Sequence, residues 1–574
     1  MKRLLSSIAE KILHKYGDKG LLFFTSLIIG VLCAMLAVIL KQSVHHAYHY
    51  LSEYISLPMG FLIPGVGAAI SVFFLRKIVK DNMGHGIPDV LLSIVKKGGV
   101  LRGWDTFSRM ISSFFTVSAG GSAGLEGPIV FTGSAAGSNL ATFFNLTDKH
   151  RIILIGAGTA AGISAIFNAP LTGMVFALEV MLSEWTSITI IPTAIASITA
   201  TEISRIMMGN SIAFTTNFTT MGTIDLFPVA ILGVFTGFLS VLFIRGLEFG
   251  EHKFEKYFKN PILRSFIGGS FVGLLFLIVP KSLGEGHDVV SSLISGFEEK
   301  GIFVVFLLLL FKYLTSISTL SSGGSGGIFA PGLFIGAASG LLFGRIISRF
   351  SEYLHFSQPE SYALVGMAGL IAGILQAPLT GMFLVLEITD GYSIVLPLIL
   401  VSIISMITSS IFEQGSIYTR NLISKGDLER TGSDGRILSE IEITEMLELD
   451  CPVVKENTLL REFIDVVKTS KRNQFIVVDR KNNKYVGIIL IHEVRSIIFE
   501  TELYDFLTVT ELIKTDIEPV KLGDSLKSIV QDFDSSSSFT LPVVDENGGY
   551  IGLISKATLF TKYRQELLVQ SIRE

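Results

Sequence analysis

Between residues 21 and 412 the chain consists mostly of long apolar stretches, and few architectures accept so much uncharged sequence. A run of roughly 20 apolar residues spans the 30 Å or so of bilayer hydrocarbon. Backbone placed there must satisfy its own polar groups, which leaves bundled helices or closed barrels. The runs 21–40, 61–74, 227–244, 266–279, 302–311 and 394–412 read as spanning helices, the shorter ones tilted or supported by a neighbour. From residue 413 onward the composition is that of an ordinary soluble protein. Over the whole chain only 17% of residues are charged, against about a quarter in soluble domains. The net charge of −4 gives no sign of a nucleic-acid partner. Cys33 and Cys451 lie in unlike contexts and form no disulfide framework. The polar segment 1–20 has no small-residue cleavage site after its apolar run and reads as a retained N-terminus.

Four further apolar runs, 118–137, 156–180, 321–342 and 365–386, are interrupted by glycine, serine and proline. Broken backbone at membrane depth is tolerated only where protein buries it or where it lines a cavity. The breaks are also duplicated. Ala169-Pro170-Leu171-Thr172-Gly173-Met174 recurs letter for letter at Ala377-Pro378-Leu379-Thr380-Gly381-Met382, and Glu179 and Glu387 follow the two copies at equal distance. The run Gly120–Pro128 is echoed by Gly323–Pro331, and Gly84-His85-Gly86 more weakly by Gly284-Glu285-Gly286. Three pairs in the same order make an internal duplication, and such matched breaks point to a transporter's binding site. Lys2, Arg3, Lys11, Lys15 and Lys19 precede the first span and place the N-terminus in the cytoplasm. With a cytoplasmic C-terminal part the number of spans is even; an odd number in each half would make the repeats inverted.

A helix that starts inside the membrane directs unpaired N–H groups and about half a positive charge inward. Glycine lets the backbone approach a ligand there. Several such starts, at 84–88, 124–128 and 327–331, would hold a dehydrated anion without a full cation. The proline after each motif suits a first helical turn. Few Lys or Arg occur in the spans, which argues against a fixed cationic anchor. Glu126 lies within the first glycine-rich break, and an ionisable residue at that depth is a functional candidate. Its carboxylate can occupy an anion site and swing away on protonation, as a gate or a proton carrier. Glu179 and Glu387, being symmetric, read as structural groups that bond exposed backbone N–H.

At these residues the sequence resembles the CLC family of chloride channels and proton-coupled anion antiporters. The family signatures GSGIP, GREGP and GxFxP read here Gly84-His85-Gly86-Ile87-Pro88, Gly124-Leu125-Glu126-Gly127-Pro128 and Gly327-Ile328-Phe329-Ala330-Pro331, with Tyr418 resembling a late pore tyrosine. The resemblance implies an all-α polytopic membrane domain over 21–425, built of two inverted repeats with about 18 helices, many broken or tilted. It implies a homodimer in the cell membrane with one anion path per subunit. Glu126 would be the gating glutamate. His85, Gly86, Ile87, Gly124, Gly127, Ile328, Phe329 and Tyr418 would form the anion site, with no metal and no catalytic residue.

Three positions depart from the family pattern. His85 replaces a serine at the central site; its imidazole can donate one N–H or turn aside, and its protonation would add pH dependence at about pH 6 to 7. This leaves chloride, nitrate, bicarbonate and fluoride open as the anion. Val180 stands where proton-coupled members carry an inner glutamate and cannot hold a proton, which favours a voltage- or pH-gated chloride channel over an antiporter served by a water chain. Leu125 replaces the basic residue of the second signature. An intramembrane enzyme would need a nucleophile and base in register; His85, Ser118 and Ser122 carry no nucleophile motif, so no enzyme is expected.

From about residue 440 helix and strand alternate. Phe475–Asp479 with Tyr485–Ile489 reads as a hairpin followed by a helix, and Leu541–Asp545 with Tyr550–Ile554 repeats it. The pair resembles tandem CBS domains, at about 440–505 and 506–574 within a cytoplasmic α/β module spanning 426–574. Such modules often bind adenine nucleotides through a Ser/Thr-x-x-Asp after the second strand. Here those stretches are Leu490-Ile491-His492-Glu493 and Ser555-Lys556-Ala557-Thr558, neither with the aspartate, so nucleotide sensing and a dimer-stabilising role are both open. The hydroxyl-rich stretch 535–538 reads as a loop.

Overall fold

A computed structural model describes residues 2–55, 59–80, 86–210, 214, 221–279, 283–295, 301–350, 356–426, 441, 443–524, 526–536 and 538–573. The chain divides into two compact units, Met1–Leu428 and Glu429–Glu574.

The first unit is mainly helical, with seventeen α-helical segments among its described residues. The first of these bends at Gly17, where φ is 67°. Nine helices among the described residues are long and apolar enough to cross a membrane. Several outrun their apolar cores. The first span extends from Lys19 to Ile55 rather than ending at 40, and the 227–244 run sits inside a helix reaching Tyr257. Once nucleated, a helix continues cheaply through polar residues that lack a breaker.

Two helices, Asp148–Phe167 and Pro359–Leu375, are buried almost all round. Their glycines allow close backbone approach to the two helices that follow the breaks. A methyl on Gly133 would fall on the Gly158 carbonyl, and one on Gly158 on the Gly133 carbonyl. The second repeat builds the same contact from Gly336 and Gly366. Duplication in the sequence is therefore duplication in packing.

The repeats are joined by reciprocal bonds, as a two-fold relation requires. The Glu179 carboxylate accepts from the N–H of Leu379 at 3.1 Å, the N–H of Thr380 at 2.8 Å and the Thr380 hydroxyl at 2.7 Å. Glu387 does the same for Leu171, Thr172 and the Thr172 hydroxyl, at 2.9, 2.7 and 2.7 Å. Each hexapeptide starts a helix at its proline, from nearly identical N-cap torsions (−130°, 86° at Ala169; −133°, 86° at Ala377). The paired glutamates thus cap each other's repeat, the structural role their symmetry indicated.

In the second unit each hairpin gains a short parallel strand. β1 (Val453–Lys455) pairs with β2 (Gln474–Val478), which pairs antiparallel with β3 (Tyr485–Leu490). β4 (Val520–Lys521), β5 (Thr540–Val544) and β6 (Tyr550–Ser555) repeat the order. Amphipathic helices Leu460–Thr469 and Leu526–Ser535 pack on these sheets through Phe463, Ile464, Ile529 and Phe533. Ser535 closes the second of them; residue 537 lies outside the described residues.

Candidate functional site

The two glycine-rich breaks meet. Gly124 donates its N–H to the Gly327 carbonyl at 2.9 Å and Gly327 returns the bond at 2.6 Å, a two-residue antiparallel bridge. Side-chain hydroxyls fasten it from both repeats: the Ser122 N–H reaches Thr319 Oγ1 at 3.0 Å, and the Ser325 N–H reaches Thr116 Oγ1 at 3.2 Å. Helices Glu126–Phe143 and Phe329–Ile347 start immediately after this bridge, so two sets of unpaired N–H groups lie side by side. A third helix, Ile87–Lys96, begins after Gly86, and Ile87 faces the same cavity.

Glu126 is the first residue of its helix and is only 2% exposed. Its carboxylate accepts hydrogen bonds from its own backbone N–H and from that of Ala330 in the other repeat. Among the described residues, Oε2 has no hydrogen-bond partner. Bare backbone walls the slot: a methyl on Gly124 would collide with that oxygen, and one on Gly327 would lie 2.9 Å from it. Only glycine at both positions leaves room for the carboxylate.

Beside this slot lies a cavity lined by Ile87, Gly127, Gly326, Gly327, Ile328 and Tyr418, among others. Tyr418 is 5% exposed, and its hydroxyl has no partner among the described residues. A buried hydroxyl with nothing to bond is costly unless a ligand or water completes it. Phe329 is not among the residues that line this cavity; its ring packs 5.6 Å from that of Phe176 and 6.1 Å from that of Phe167. Of the sequence candidates, Ile87, Gly127, Ile328 and Tyr418 share this cavity, Gly124 and Glu126 form the adjoining slot, and Gly86 caps the third helix. Val180 sits in a short π-helical turn, Ala177–Leu182, and is not among the residues that line the cavity. His85 and Gly84 lie outside the described residues.

Arg109 and Lys312 are buried at repeat-equivalent positions, on the helices preceding the two breaks, and neither is among the residues that line the cavity. The Lys312 ammonium donates to the Gly284 carbonyl at 2.7 Å and lies 5.1 Å from the Phe334 ring centre. Arg109 lies 5.5 Å from the Phe131 ring centre and 3.4 Å from Asp89 Oδ2. Each cation precedes its helix start by the same number of residues, and each ring follows it equally. That spacing was the available signal. The serines considered for nucleophilic chemistry are used by the scaffold: Ser122 Oγ pairs with Ser316 Oγ at 3.0 Å, and Ser118 Oγ donates to the Phe114 carbonyl at 2.5 Å.

In the second unit Ser555 and Thr558 both donate to Glu448 Oε1, at 2.6 and 2.5 Å. Burial raises the Glu448 carboxyl, but hydrogen bonds from these hydroxyls and from Arg472 outweigh it and leave the group below its ordinary range. At the equivalent place after β3, Glu493 is ion-paired to Lys514 at 2.8 Å. Both positions that the CBS resemblance assigns to a ribose are therefore engaged within the chain.

A family model described as voltage gated chloride channel matches residues 67–410, and a CBS domain model matches residues 509–564. The chain is 30% identical over 446 residues to the H(+)/Cl(−) exchange transporter ClcA of Vibrio cholerae, covering 73% of this chain and 93% of that one. Its fold is similar to that of a slow cyanobacterial Cl−/H+ antiporter, with a TM-score of 0.64 and 24% identity over 71% of this chain and 98% of that one. A eukaryotic CLC transporter is similar over 94% of this chain and 97% of its own, with a TM-score of 0.63 and 18% identity. With its paired glycine breaks, reciprocal glutamate caps and C-terminal CBS domains, the chain belongs to the voltage gated chloride channel family, the CLC family.

Proposed function

We propose that this protein carries chloride across the cell membrane in exchange for protons, with Glu126 as both gate and proton carrier. The observation that carries the reading is the slot itself. A buried carboxylate lies where helix starts of both repeats converge, held by backbone N–H groups and with one oxygen unpartnered among the described residues. Those donors suit any small anion, so chloride and the carboxylate compete for them. On protonation the carboxyl loses its charge and its claim on the donors, which links proton uptake to anion passage. Backbone N–H groups of Gly127, Ile328 and Phe329 and the Tyr418 hydroxyl are the proposed chloride ligands, with His85 and Gly86 at the third helix start. Chloride is preferred over nitrate, bicarbonate and fluoride because the Vibrio relative is named for chloride exchange.

A second reading, a gated chloride channel, is favoured by Val180, which leaves no carboxyl at the inner position. The functional unit would be a homodimer with both termini in the cytoplasm, consistent with the five basic residues before the first span. For the CBS module an assembly role fits better than nucleotide sensing, because a ribose would have to displace Glu448 from Ser555 and Thr558.

Tyr418→Phe tests the anion site directly. Losing one hydrogen bond to a charged ligand costs about 1.5 to 3 kcal/mol, so chloride affinity by calorimetry should fall at least about tenfold. Unchanged affinity would remove the hydroxyl from the site.

A further inference from the structure

The first helix carries a cation to the level of the Glu126 slot. Its span begins at Lys19, and Lys41 lies about 33 Å further along it, on the membrane face away from the N-terminus. Contacts with the neighbouring helices fix its height. Cys33 Sγ lies 3.8 Å from the Gly158 carbonyl, and Lys41 Nζ donates to the Ile166 carbonyl at 3.2 Å. Residue numbers rise together along this pair, so the first helix and Asp148–Phe167 run parallel in register. The helix Asp148–Phe167 in turn runs antiparallel to the one that starts at Glu126: Gly137 lies against Leu154, Gly133 against Gly158 and Gly162 against Ile129. The next place in that row sets Ile166 level with Leu125. Through Ile166, Lys41 thus reaches the level where the second signature has its basic residue and this chain has Leu125.

The ammonium there is open to a ligand. Lys41 is half-buried, and the bond to Ile166 is its one hydrogen bond among the described residues, which leaves two N–H groups without a protein partner. Among the described residues no carboxylate lies within ion-pair distance of it. Its charge acts on Glu126 and on Glu285, which belongs to the break echoing Gly84-His85-Gly86 and lies 3.5 Å from His287.

We infer that Lys41 is a chloride-binding residue of the slot: its ammonium pairs with an anion entering or leaving beside Glu126, and supplies from the first helix the positive charge that Leu125 lacks. The inference rests on the reading of the Glu126 slot as the anion path. An ammonium is a point charge on a flexible stem, which suits a spherical anion. Half-exposed, it draws the anion in without holding it too tightly to release.

The test is chloride efflux from liposomes holding the full-length protein, measured against chloride concentration. K41Q and K41R both keep a donor for the Ile166 carbonyl, but only K41R keeps the charge. The expected result is a half-saturating chloride concentration raised about tenfold in K41Q and close to the native value in K41R. It should fall again when L125K or L125R restores a charge in the K41Q background. A K41Q indistinguishable from the native chain, an equal loss in K41Q and K41R, or a K41Q defect that neither folded Leu125 variant corrects would overturn the assignment while leaving the anion path intact. A native chain that passes no chloride would overturn the path itself, and the role of Lys41 with it.

Discussion

Glu126→Gln is expected to abolish proton movement while chloride continues to cross, and to remove the part of the pH dependence of the flux that Glu126 confers. Glutamine has the shape of the carboxyl group but can neither bind nor release a proton near neutral pH. Its amide oxygen carries less charge than a carboxylate and holds the N–H of Ala330 less strongly. Chloride therefore competes better for the donors at the slot. In the native chain a step that requires protonation of one carboxylate gains up to about tenfold in rate per unit fall in pH. In E126Q the contribution of this carboxylate to that slope is gone. Stopped-flow chloride efflux from liposomes between pH 5 and 8, with proton uptake recorded in parallel, measures both quantities. A variant that still moves protons would take Glu126 out of the mechanism.

The second large effect is on stability. Removing Glu179 by substitution with Ala leaves the N–H groups of Leu379 and Thr380 without acceptors at a helix start between the two repeats. A buried donor left unpaired costs about 1 to 3 kcal/mol; Thr380, with its N–H and hydroxyl, is buried while Leu379 is exposed, so a loss of about 2 to 4 kcal/mol is expected. Glu387→Ala should cost as much through Leu171 and Thr172. The two effects should be similar in size because the contacts are nearly superimposable. Thermal unfolding in detergent of each variant checks this, and a midpoint unchanged in either would show that the cross-repeat caps are dispensable. The acid with the transport task and the acids with the scaffolding task are thus separable: E126Q changes transport at native stability, whereas E179A and E387A change stability first.

What the sequence disclosed and what it withheld follow from how each feature is encoded. The glycine–proline breaks and the repeated hexapeptide are short contiguous strings, so their place on helix starts could be read directly. The same holds for Glu126, whose charge stands out against apolar neighbours. Glu179 and Glu387 were legible through symmetry alone. Arg109 and Lys312 were not, because their burial depends on rings and carbonyls supplied by other helices. Read singly they look like isolated basic residues in polar-flanked spans. Glu248 and Glu251 resemble the solvated end of a long helix, and only the three-dimensional arrangement brings them to the cavity of Tyr418. Strands β1 and β4 were missed since two or three residues carry too little pattern to distinguish a strand from a loop. The π-helical turn holding Val180 has no sequence signature at all.

The claim that most needs testing is that chloride and protons move in opposite directions through one protein. The reversal potential of the purified native chain in liposomes, under a chloride gradient with and without an opposing proton gradient, decides it. Exchange through Glu126 predicts that imposing the proton gradient displaces the reversal potential from its chloride value. A potential that stays at the chloride value whatever the proton gradient would contradict exchange and make the protein a chloride channel.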